Sequence, residues 1–348
     1  SNDTIFKVIE LIPKTENLKI QVFDEFSFSS SKYQNAFKNK DEFIIDYYPF
    51  PLNHFYVITR IKREYYVKII NGIGESLMTK ELNFKPEEIF LDAIGNFHLI
   101  EKDSVYQIYL SKDSIQLMNA ITKESFEIEL RNLVSLDENG AFHEYMSLHN
   151  QFYVIHRVID KEVSDIYQSF DEEGFENASY HYNAAVNFYN ATTPQKDNVI
   201  SMGIWDGDLM TLNSYNFKLL TMSVWSEKIA SKPLNVKSFG LKNKIIVLDA
   251  IRDSIFKIDN NTFASNETKA QCILTGDYFK DYFYDNIYMY SNRAKGISIL
   301  KINIEDGTST EIAQLTDIRK PRNIKVINDK VFFTVLDENS YNRIIEVK

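Results

Sequence analysis

The chain has 348 residues, of which 44% are hydrophobic and 14% aromatic, and it carries a formal net charge of −10 at pH 7. An acidic chain repels a polyanion on average, so this charge disfavours nucleic acid as a partner. Cys272 is the only cysteine, which excludes an internal disulfide and a paired-cysteine metal site. No apolar run reaches the length of about 18 residues that a transmembrane helix needs, so we expect no transmembrane span.

The first 42 residues form an N-terminal segment with a single strand-like run, Leu18–Phe23. The polar, serine-rich stretch from Ser27 to Asn39 reads as a loop. The chain opens on Ser1-Asn2 without Met, so a leader or a lipid anchor could have preceded it.

From residue 43 onward the sequence reads as short strands separated by turns. The clearest example has strand-forming runs at Ile89–Leu91, Phe97–Ile100 and Val105–Leu110, with turn residues between them and no room for a helix. This pattern is typical of an antiparallel meander.

Looser copies of the meander recur behind asparagine residues. Six apolar strands begin just after Asn53, Asn96, Asn150, Asn243, Asn286 and Asn328, at intervals of 43, 54, 93, 43 and 42 residues. A period in the forties, with about four strands per unit, predicts an all-β fold, a β-propeller of four-stranded antiparallel blades over residues 43–348.

The interval of 93 residues leaves two interpretations open. Six blades with a partly helical insertion at about 171–234 is the one we favour, because Tyr182, Ala185, Val186 and Tyr189 recur at helical spacing, as do Leu219, Met222, Trp225 and Ile229. The other interpretation is a seventh blade, since Val199–Trp205 is followed by an Asp206-Gly207 turn and a second apolar run.

The last repeat lacks an obvious fourth strand after Lys348. A strand borrowed from the N-terminal segment would remove the exposed sheet edge. Leu18–Phe23 is the candidate that the sequence offers.

The run Pro86-Glu87-Glu88-Ile89-Phe90-Leu91-Asp92-Ala93-Ile94-Gly95-Asn96-Phe97-His98-Leu99, followed by Ser104-Val105-Tyr106-Gln107, resembles blades of TolB-like six-bladed propellers. The order of Trp225–Ile229, Pro233 and Ile245–Asp249 is similar too, and the resemblance covers roughly residues 40–348. Such propellers occur among exported proteins and lipoproteins of Bacteroidetes-type bacteria. The resemblance therefore implies a propeller in the periplasm or at the cell surface, without an assigned activity.

One cluster of aromatic and amide residues is a candidate ligand site. Tyr and Trp combine a flat apolar face with a polar edge, which suits contact with sugars and peptides. The residues are Tyr180, His181, Tyr182, Tyr189, Trp205 and Trp225. A small extra core that caps one end of the propeller would use the same residues.

Signals for catalysis are sparse. His98 and His156 alternate with apolar neighbours, as structural histidines do, and Ser135–Gly140 departs from the Asp-box turn of sialidases because Asn139 stands where glycine is needed. No nucleophile elbow, P-loop or dinucleotide motif occurs.

Two hypotheses of function follow. The first is a non-catalytic binding or scaffolding propeller of the bacterial envelope that recognises a protein, peptide or glycan through its loop face and needs no cofactor. The second is a metal-dependent hydrolase of the lactonase type that holds Ca²⁺ in the central channel, with Asp92, Asp249 and Asn286 as candidate ligands.

Overall fold

The structure, a computed structural model, describes residues 33–37, 42–112, 114–147, 151–177, 179–180, 199–205, 208–213, 234–274, 276–293, 296–315, 321–336 and 342–347. Six four-stranded antiparallel sheets form a propeller ring, and a separate two-stranded hairpin is described between the third and fourth sheets. In the described residues no helix is both long and apolar enough to cross a membrane.

The six sheets are blades A to F in chain order. Blade A has strands β2 (Phe43–Phe50), β3 (His54–Ile61), β4 (Glu64–Ile70) and β5 (Ser76–Leu82). Blade B has β6 (Glu88–Leu91), β7 (Phe97–Ile100), β8 (Ser104–Leu110) and β9 (Ile115–Thr122). Blade C has β10 (Leu133–Asp137), β11 (Gly140–Ser147), β12 (Phe152–Ile159) and β13 (Glu162–Phe170).

The second half of the ring repeats this plan. Blade D has β16 (Val236–Leu241), β17 (Lys244–Asp249), β18 (Ser254–Asp259) and β19 (Ser265–Lys269). Blade E has β20 (Asp277–Asp281), β21 (Asn286–Arg293), β22 (Gly296–Ile302) and β23 (Ser309–Leu315). Blade F has β24 (Arg322–Ile327), β25 (Lys330–Leu336), β26 (Asn342–Val347) and, as its fourth strand, β1 (Tyr33–Phe37).

The core is divided among the six junctions between neighbouring blades, because each sheet buries its two apolar faces only on its neighbours. One hydrophobic cluster fills each junction: Tyr56 with Leu99 between A and B, Val105 with Leu133 between B and C, Phe142 with Val247 between C and D, Leu248 with Met289 between D and E, Tyr288 with Val331 between E and F, and Tyr47 with Phe332 between F and A. First strand β2 contacts the first strands β6 and β24 of the two neighbouring blades, and β10 contacts β16, so the first strands lie innermost.

Helix α1 (Lys123–Phe126) and a π-helical segment (Glu127–Arg131) connect blades B and C. The Thr122 hydroxyl caps α1 by accepting a hydrogen bond of 3.2 Å from the Ser125 N–H. Phe126 and Leu130 are buried against Ile100 of blade B, so this segment is a wedge in the junction. It ends at Arg131, immediately before the innermost strand of blade C.

The asparagine repeat is confirmed for five blades, but in blade C the asparagine identified from the sequence precedes the third strand instead of the second. Asn53, Asn96, Asn243 and Asn328 precede, and Asn286 begins, the second strand of a blade, whereas Asn150 precedes the third strand of blade C. The equivalent turn in blade C is Asn139-Gly140, which lies 43 residues after Asn96. The interval of 54 residues between Asn96 and Asn150 thus contains one repeat and one further strand with its turn. The Ser135–Gly140 stretch, which did not match the Asp-box, includes the turn between the first two strands of blade C.

The chain between β13 and β16 contributes the hairpin β14 (Val199–Trp205) and β15 (Asp208–Asn213). Among the described residues these strands pair only with each other, whereas six sheets have four strands each, so the structure has six blades, as favoured. Residues 172–177 and 179–180 are helical. The two helical stripes predicted from Tyr182 to Tyr189 and from Leu219 to Ile229 lie outside the described residues.

The fourth strand of blade F comes from the N-terminal segment. Tyr33 pairs with Val347 and Asn35 with Ile345, so β1 covers the edge of β26. The choice of Leu18–Phe23 for this strand is corrected, because the edge is occupied by Tyr33–Phe37, which the sequence analysis placed in a loop. Leu18–Phe23 itself lies outside the described residues.

Candidate functional site in the central channel

The innermost strands line a half-open cavity of about 470 Å³ in the central channel. Five of the six blades contribute to its wall, through the side chains of β2, β6, β10, β16 and β20. The residues that line it include Tyr48, Phe90, Asp92, Ala93, Arg131, Leu133, Glu144, Lys237, Phe239, Gly240, Phe279, Lys280 and Tyr282. The wall therefore combines aromatic rings with charged side chains.

Arg131 enters the wall from the end of the π-helical segment. Its two terminal nitrogens donate to the two carboxylate oxygens of Glu88, at 3.3 and 2.8 Å, and its Nε lies 2.8 Å from Glu127 Oε2. The guanidinium also lies over the Phe90 ring, 4.8 Å from the centroid. A bidentate pair combined with a cation–π contact fixes both the plane and the position of this group.

Glu144 of β11 joins blades C and D. Its Oε2 accepts hydrogen bonds from the Tyr153 hydroxyl at 2.8 Å and from the Ser238 hydroxyl at 3.0 Å, and its Oε1 contacts the Lys237 ammonium. The Tyr153 hydroxyl is also 2.7 Å from Ser238 Oγ. Burial, and then the charge of Glu144, raise the pKa of Tyr153 well above its ordinary value, so this phenol remains a hydrogen-bond donor.

Lys280 and Tyr282 extend from blade E. The Lys280 ammonium donates to the Gly240 carbonyl at 2.6 Å, lies 3.3 Å from Asp285 Oδ1 and sits 4.5 Å from the centroid of the Tyr282 ring. The Tyr282 hydroxyl donates to the carbonyl of Ala93. Burial, followed by the charges of Asp92 and Asp285, raises the pKa of Tyr282, so its hydroxyl is neutral at physiological pH.

The contact between Tyr282 and Ala93 crosses the channel, because blades E and B are opposite each other in a ring of six. We call the end of the ring where first strands turn into second strands end I, and the other end II. Tyr282 and Ala93 both follow the last residue of a first strand, so the crossing lies at end I. Gly95 adopts φ +91°, and a Cβ at this position would lie 3.2 Å from Tyr282 Cε1. The absence of a Cβ therefore lets the aromatic side chain of Tyr282 pack on this turn.

The candidate calcium ligands are placed apart from one another. Asp92 and Asn286 lie at end I, whereas Asp249 ends the second strand of blade D and therefore lies at end II. Each Asp92 oxygen accepts two hydrogen bonds, from Ile94 N and Asn96 N on Oδ1 and from Asn96 Nδ2 and His98 Nε2 on Oδ2. These placements do not fit a shared calcium centre.

Like those of Asp92, both carboxylate oxygens of Asp249 accept hydrogen bonds. Its Oδ1 accepts from Ile251 N at 2.8 Å, and its Oδ2 accepts from the Tyr167 hydroxyl at 2.5 Å. Within the described ranges, no group of three or more His, Cys, Asp or Glu side chains is arranged to hold a metal ion.

The aromatic cluster predicted from the sequence falls largely outside the described residues. Of its members, Tyr180 is described and is 69% exposed. Trp205 ends β14, and it is described as part of that strand only. His181, Tyr182, Tyr189 and Trp225 lie outside the described residues, so this site stays a prediction.

The histidines have structural surroundings where they are described. His98 is buried and bonded at 2.8 Å to Asp92 Oδ2. His156 Nδ1 lies 2.6 Å from Asp165 Oδ1 on the neighbouring strand. Burial, and then the nearby His156, lower the pKa of His143, so this imidazole is neutral at pH 7.

The sequence analysis missed the residues of the channel wall, although a usable signal was present. Four lining residues lie six positions before the turn asparagine of their blades: Phe90, Leu133, Lys237 and Lys280. Side chains at equivalent positions of equivalent innermost strands point toward the same axis. Comparing that position across the repeats would have identified part of the wall.

When the chain is compared with known proteins, the matches are found among solved structures. No protein-family model matches the chain, and no curated protein does. The chain is similar to an inactive virginiamycin B lyase from Staphylococcus aureus with quinupristin, at 12% identity and a TM-score of 0.34, covering 90% of this chain and 87% of that one.

Two further structures are similar to the same degree. BamB from Moraxella catarrhalis has 9% identity and a TM-score of 0.34, covering 92% of this chain and 93% of that one. Oligogalacturonate lyase from Vibrio parahaemolyticus has 10% identity and a TM-score of 0.36, covering 90% and 92%. Similarity at this level carries no conclusion about ligand or activity.

Proposed function

We propose that this protein is a non-catalytic binding propeller that holds a small ligand, or the end of a larger peptide or glycan, in the cavity of its central channel. The observation that carries the proposal is the cavity of about 470 Å³ whose wall alternates aromatic rings with charged side chains from five blades. Concave sites of a few hundred Å³, largely apolar and with a few fixed polar groups, are the usual form of small-molecule sites.

The contacts of the charged groups support binding rather than chemistry. Arg131 is held by Glu88 and Glu127, and Glu144 is held by Lys237 and Ser238. Groups fixed in this way present hydrogen-bonding atoms at constant positions, which lowers the entropy cost of binding. No contact among the described residues favours the calcium-dependent hydrolase over this function.

The proposed location is the bacterial cell envelope, in the periplasm or at the cell surface. The support is the resemblance of residues 40–348 to TolB-like propellers of exported proteins and lipoproteins. The test is fractionation of cells that express the full-length gene. Recovery in the cytosol would contradict the location without affecting the proposed binding site.

The binding function can be tested by a thermal-shift screen against small metabolites, short peptides and glycans, followed by calorimetry on the hits. The Lys237→Gln variant removes a cation of the wall, and Lys301→Gln is its matched control, because Lys301 also pairs with a carboxylate but lies on the third strand of blade E, away from the channel. The two side chains are 39% and 33% exposed.

The proposal expects K237Q to weaken the hits about 10- to 100-fold, as for one hydrogen bond to a charged group, and K301Q to leave them unchanged. Hits weakened equally by both variants, or a screen without hits, would remove the channel as the binding site. Hydrolysis of an ester or lactone by the purified protein would overturn the non-catalytic assignment.

A further inference from the structure

The charge balance and the shape of the channel cavity identify a class of ligand. We infer that the cavity takes an uncharged sugar ring, as a free monosaccharide or as the terminal residue of a neutral glycan. This inference rests on the proposed function and specifies the ligand for the same site.

The charge balance of the wall indicates an uncharged ligand. Each lining cation has a partner: Arg131 has Glu88 and Glu127, Lys237 has Glu144, and Lys280 has Asp285 and the Gly240 carbonyl. A charged ligand would have to compete with these pairs and would lose part of its own hydration without a free counter-charge to replace it. An uncharged ligand incurs no such cost.

The mixture of donors and acceptors indicates hydroxyl groups. Ammonium and guanidinium groups only donate hydrogen bonds, and carboxylates only accept them. The cavity places both kinds side by side at the Lys237–Glu144 contact, where both residues line the wall. A hydroxyl can donate to the carboxylate and accept from the ammonium at the same time, which no purely donating or purely accepting ligand group can do.

The aromatic part of the wall indicates a flat ring with apolar faces. Five aromatic side chains line the cavity, four from first strands and one from the turn at end I: Tyr48, Phe90, Phe239, Phe279 and Tyr282. The C–H face of a pyranose packs on an aromatic face, while its hydroxyl rim reaches polar groups beside it. A sugar ring is the ligand that uses both parts of the wall.

The volume limits the length of the ligand. About 470 Å³ lies in the lower part of the range of ligand pockets, and Tyr282 crosses the channel at end I. A continuous chain threaded through the channel would meet this crossing. The ligand is therefore one ring with its substituents rather than the middle of a long polysaccharide.

The test is calorimetry of the full chain with neutral monosaccharides and their methyl glycosides, covering axial and equatorial hydroxyl arrangements, and with charged analogues of each binder. For a glucose-type ring the matched analogues are glucuronate, which adds a carboxylate, and glucosamine, which adds an ammonium. We expect the neutral sugar to bind at least about 10-fold more tightly than either of its charged analogues. We also expect Lys237→Gln to weaken it and Lys301→Gln to leave it unchanged.

The outcomes separate this inference from the function on which it rests. Tighter binding of a charged analogue, or hits that are only peptides or other non-sugar molecules sensitive to K237Q, would overturn the sugar assignment and leave the channel as a binding site. Neutral-sugar binding that K237Q does not alter would also overturn it. The absence of any K237Q-sensitive ligand would overturn both.

Discussion

Tyr282 of blade E donates its hydroxyl hydrogen bond to the carbonyl of Ala93 in blade B and so spans the channel between two opposite blades. The adjacent Phe283 packs against the hydrophobic cluster between blades A and B. The turn after the first strand of blade E therefore contacts the opposite side of the ring. The ring is held together by this contact as well as by the contacts between neighbouring blades.

This crossing predicts that Tyr282→Phe, which removes one hydroxyl, lowers the free energy of unfolding by about 1 kcal/mol, because the Ala93 carbonyl loses its partner in a part-buried position. Urea denaturation would measure the change. Tyr106→Phe is the control, since the Tyr106 hydroxyl bonds Glu101 within blade B near the surface, and it should change stability by less than about 0.5 kcal/mol. Equal effects of the two substitutions would argue that the crossing contributes nothing of its own.

The close approach of β10 and β16 predicts a cost for adding one methyl group. A Cβ on Gly240 would lie 2.6 Å from the Val134 carbonyl oxygen and 3.0 Å from Ser135 Cβ, so the innermost strands would have to separate. We expect Gly240→Ala to destabilise the protein by about 1–3 kcal/mol, measured by urea denaturation. The strand separation should also widen the cavity and weaken any channel ligand. A G240A protein as stable as the wild type would contradict this packing.

The buried carboxyl of Asp46 predicts a pH dependence of stability. Burial raises the pKa of Asp46 above 3.8, although Lys325 and the Ile89 N–H oppose this shift. The folded state thus binds this proton more readily than the unfolded state, so the charged carboxylate costs stability at neutral pH, and the cost disappears as pH falls through the raised pKa. Asp46→Asn removes this charge, so the stability of the variant relative to the wild type should be higher at pH 7 than at pH 4, whatever the substitution costs in lost hydrogen bonds from Ile89 N and Asn323 Nδ2.

Denaturant unfolding of both proteins across this pH range measures the effect. Asp259→Asn is the comparison with the opposite sign, because hydrogen bonds from Thr262 and Asn261 lower the pKa of the exposed Asp259. Its carboxylate stabilises the fold at neutral pH, and this contribution is lost as pH falls through the lowered pKa. A difference between D46N and wild type that stays constant with pH would show that the carboxyl titrates alike in both states.

The pairing of β1 with β26 predicts the result of N-terminal truncation. A chain starting at residue 33 retains β1, and a chain starting at residue 38 lacks it. The shorter chain should unfold at a lower temperature and aggregate, because the edge of β26 loses its partner. Calorimetry and light scattering on the two proteins distinguish the cases. Similar behaviour of both would mean that another segment closes the ring.

The antiparallel meanders and their repeat of about 43 residues were readable from the sequence alone, because they follow from local chemistry, whereas the choice between six and seven blades was left open. Turn residues such as Asn53 and Asn328 adopt positive φ, and apolar runs on either side pair as hairpins whatever surrounds them. The repeat was misaligned in blade C because both Asn139 and Asn150 stand shortly before apolar runs in the sequence, and turn chemistry alone does not tell which of two successive hairpins begins a blade.

Only the tertiary structure decided which strand closes the ring and which side chains meet in the channel. Tyr33–Phe37 contains too few apolar residues to stand out, and its pairing with β26 depends on an edge more than 300 residues away. Arg131 lies in the connector between blades B and C, Glu144 in blade C and Lys280 in blade E, and their proximity follows from closure of the ring rather than from spacing along the chain. The sequence determines each sheet through short-range interactions, whereas the site exists only where all the sheets converge.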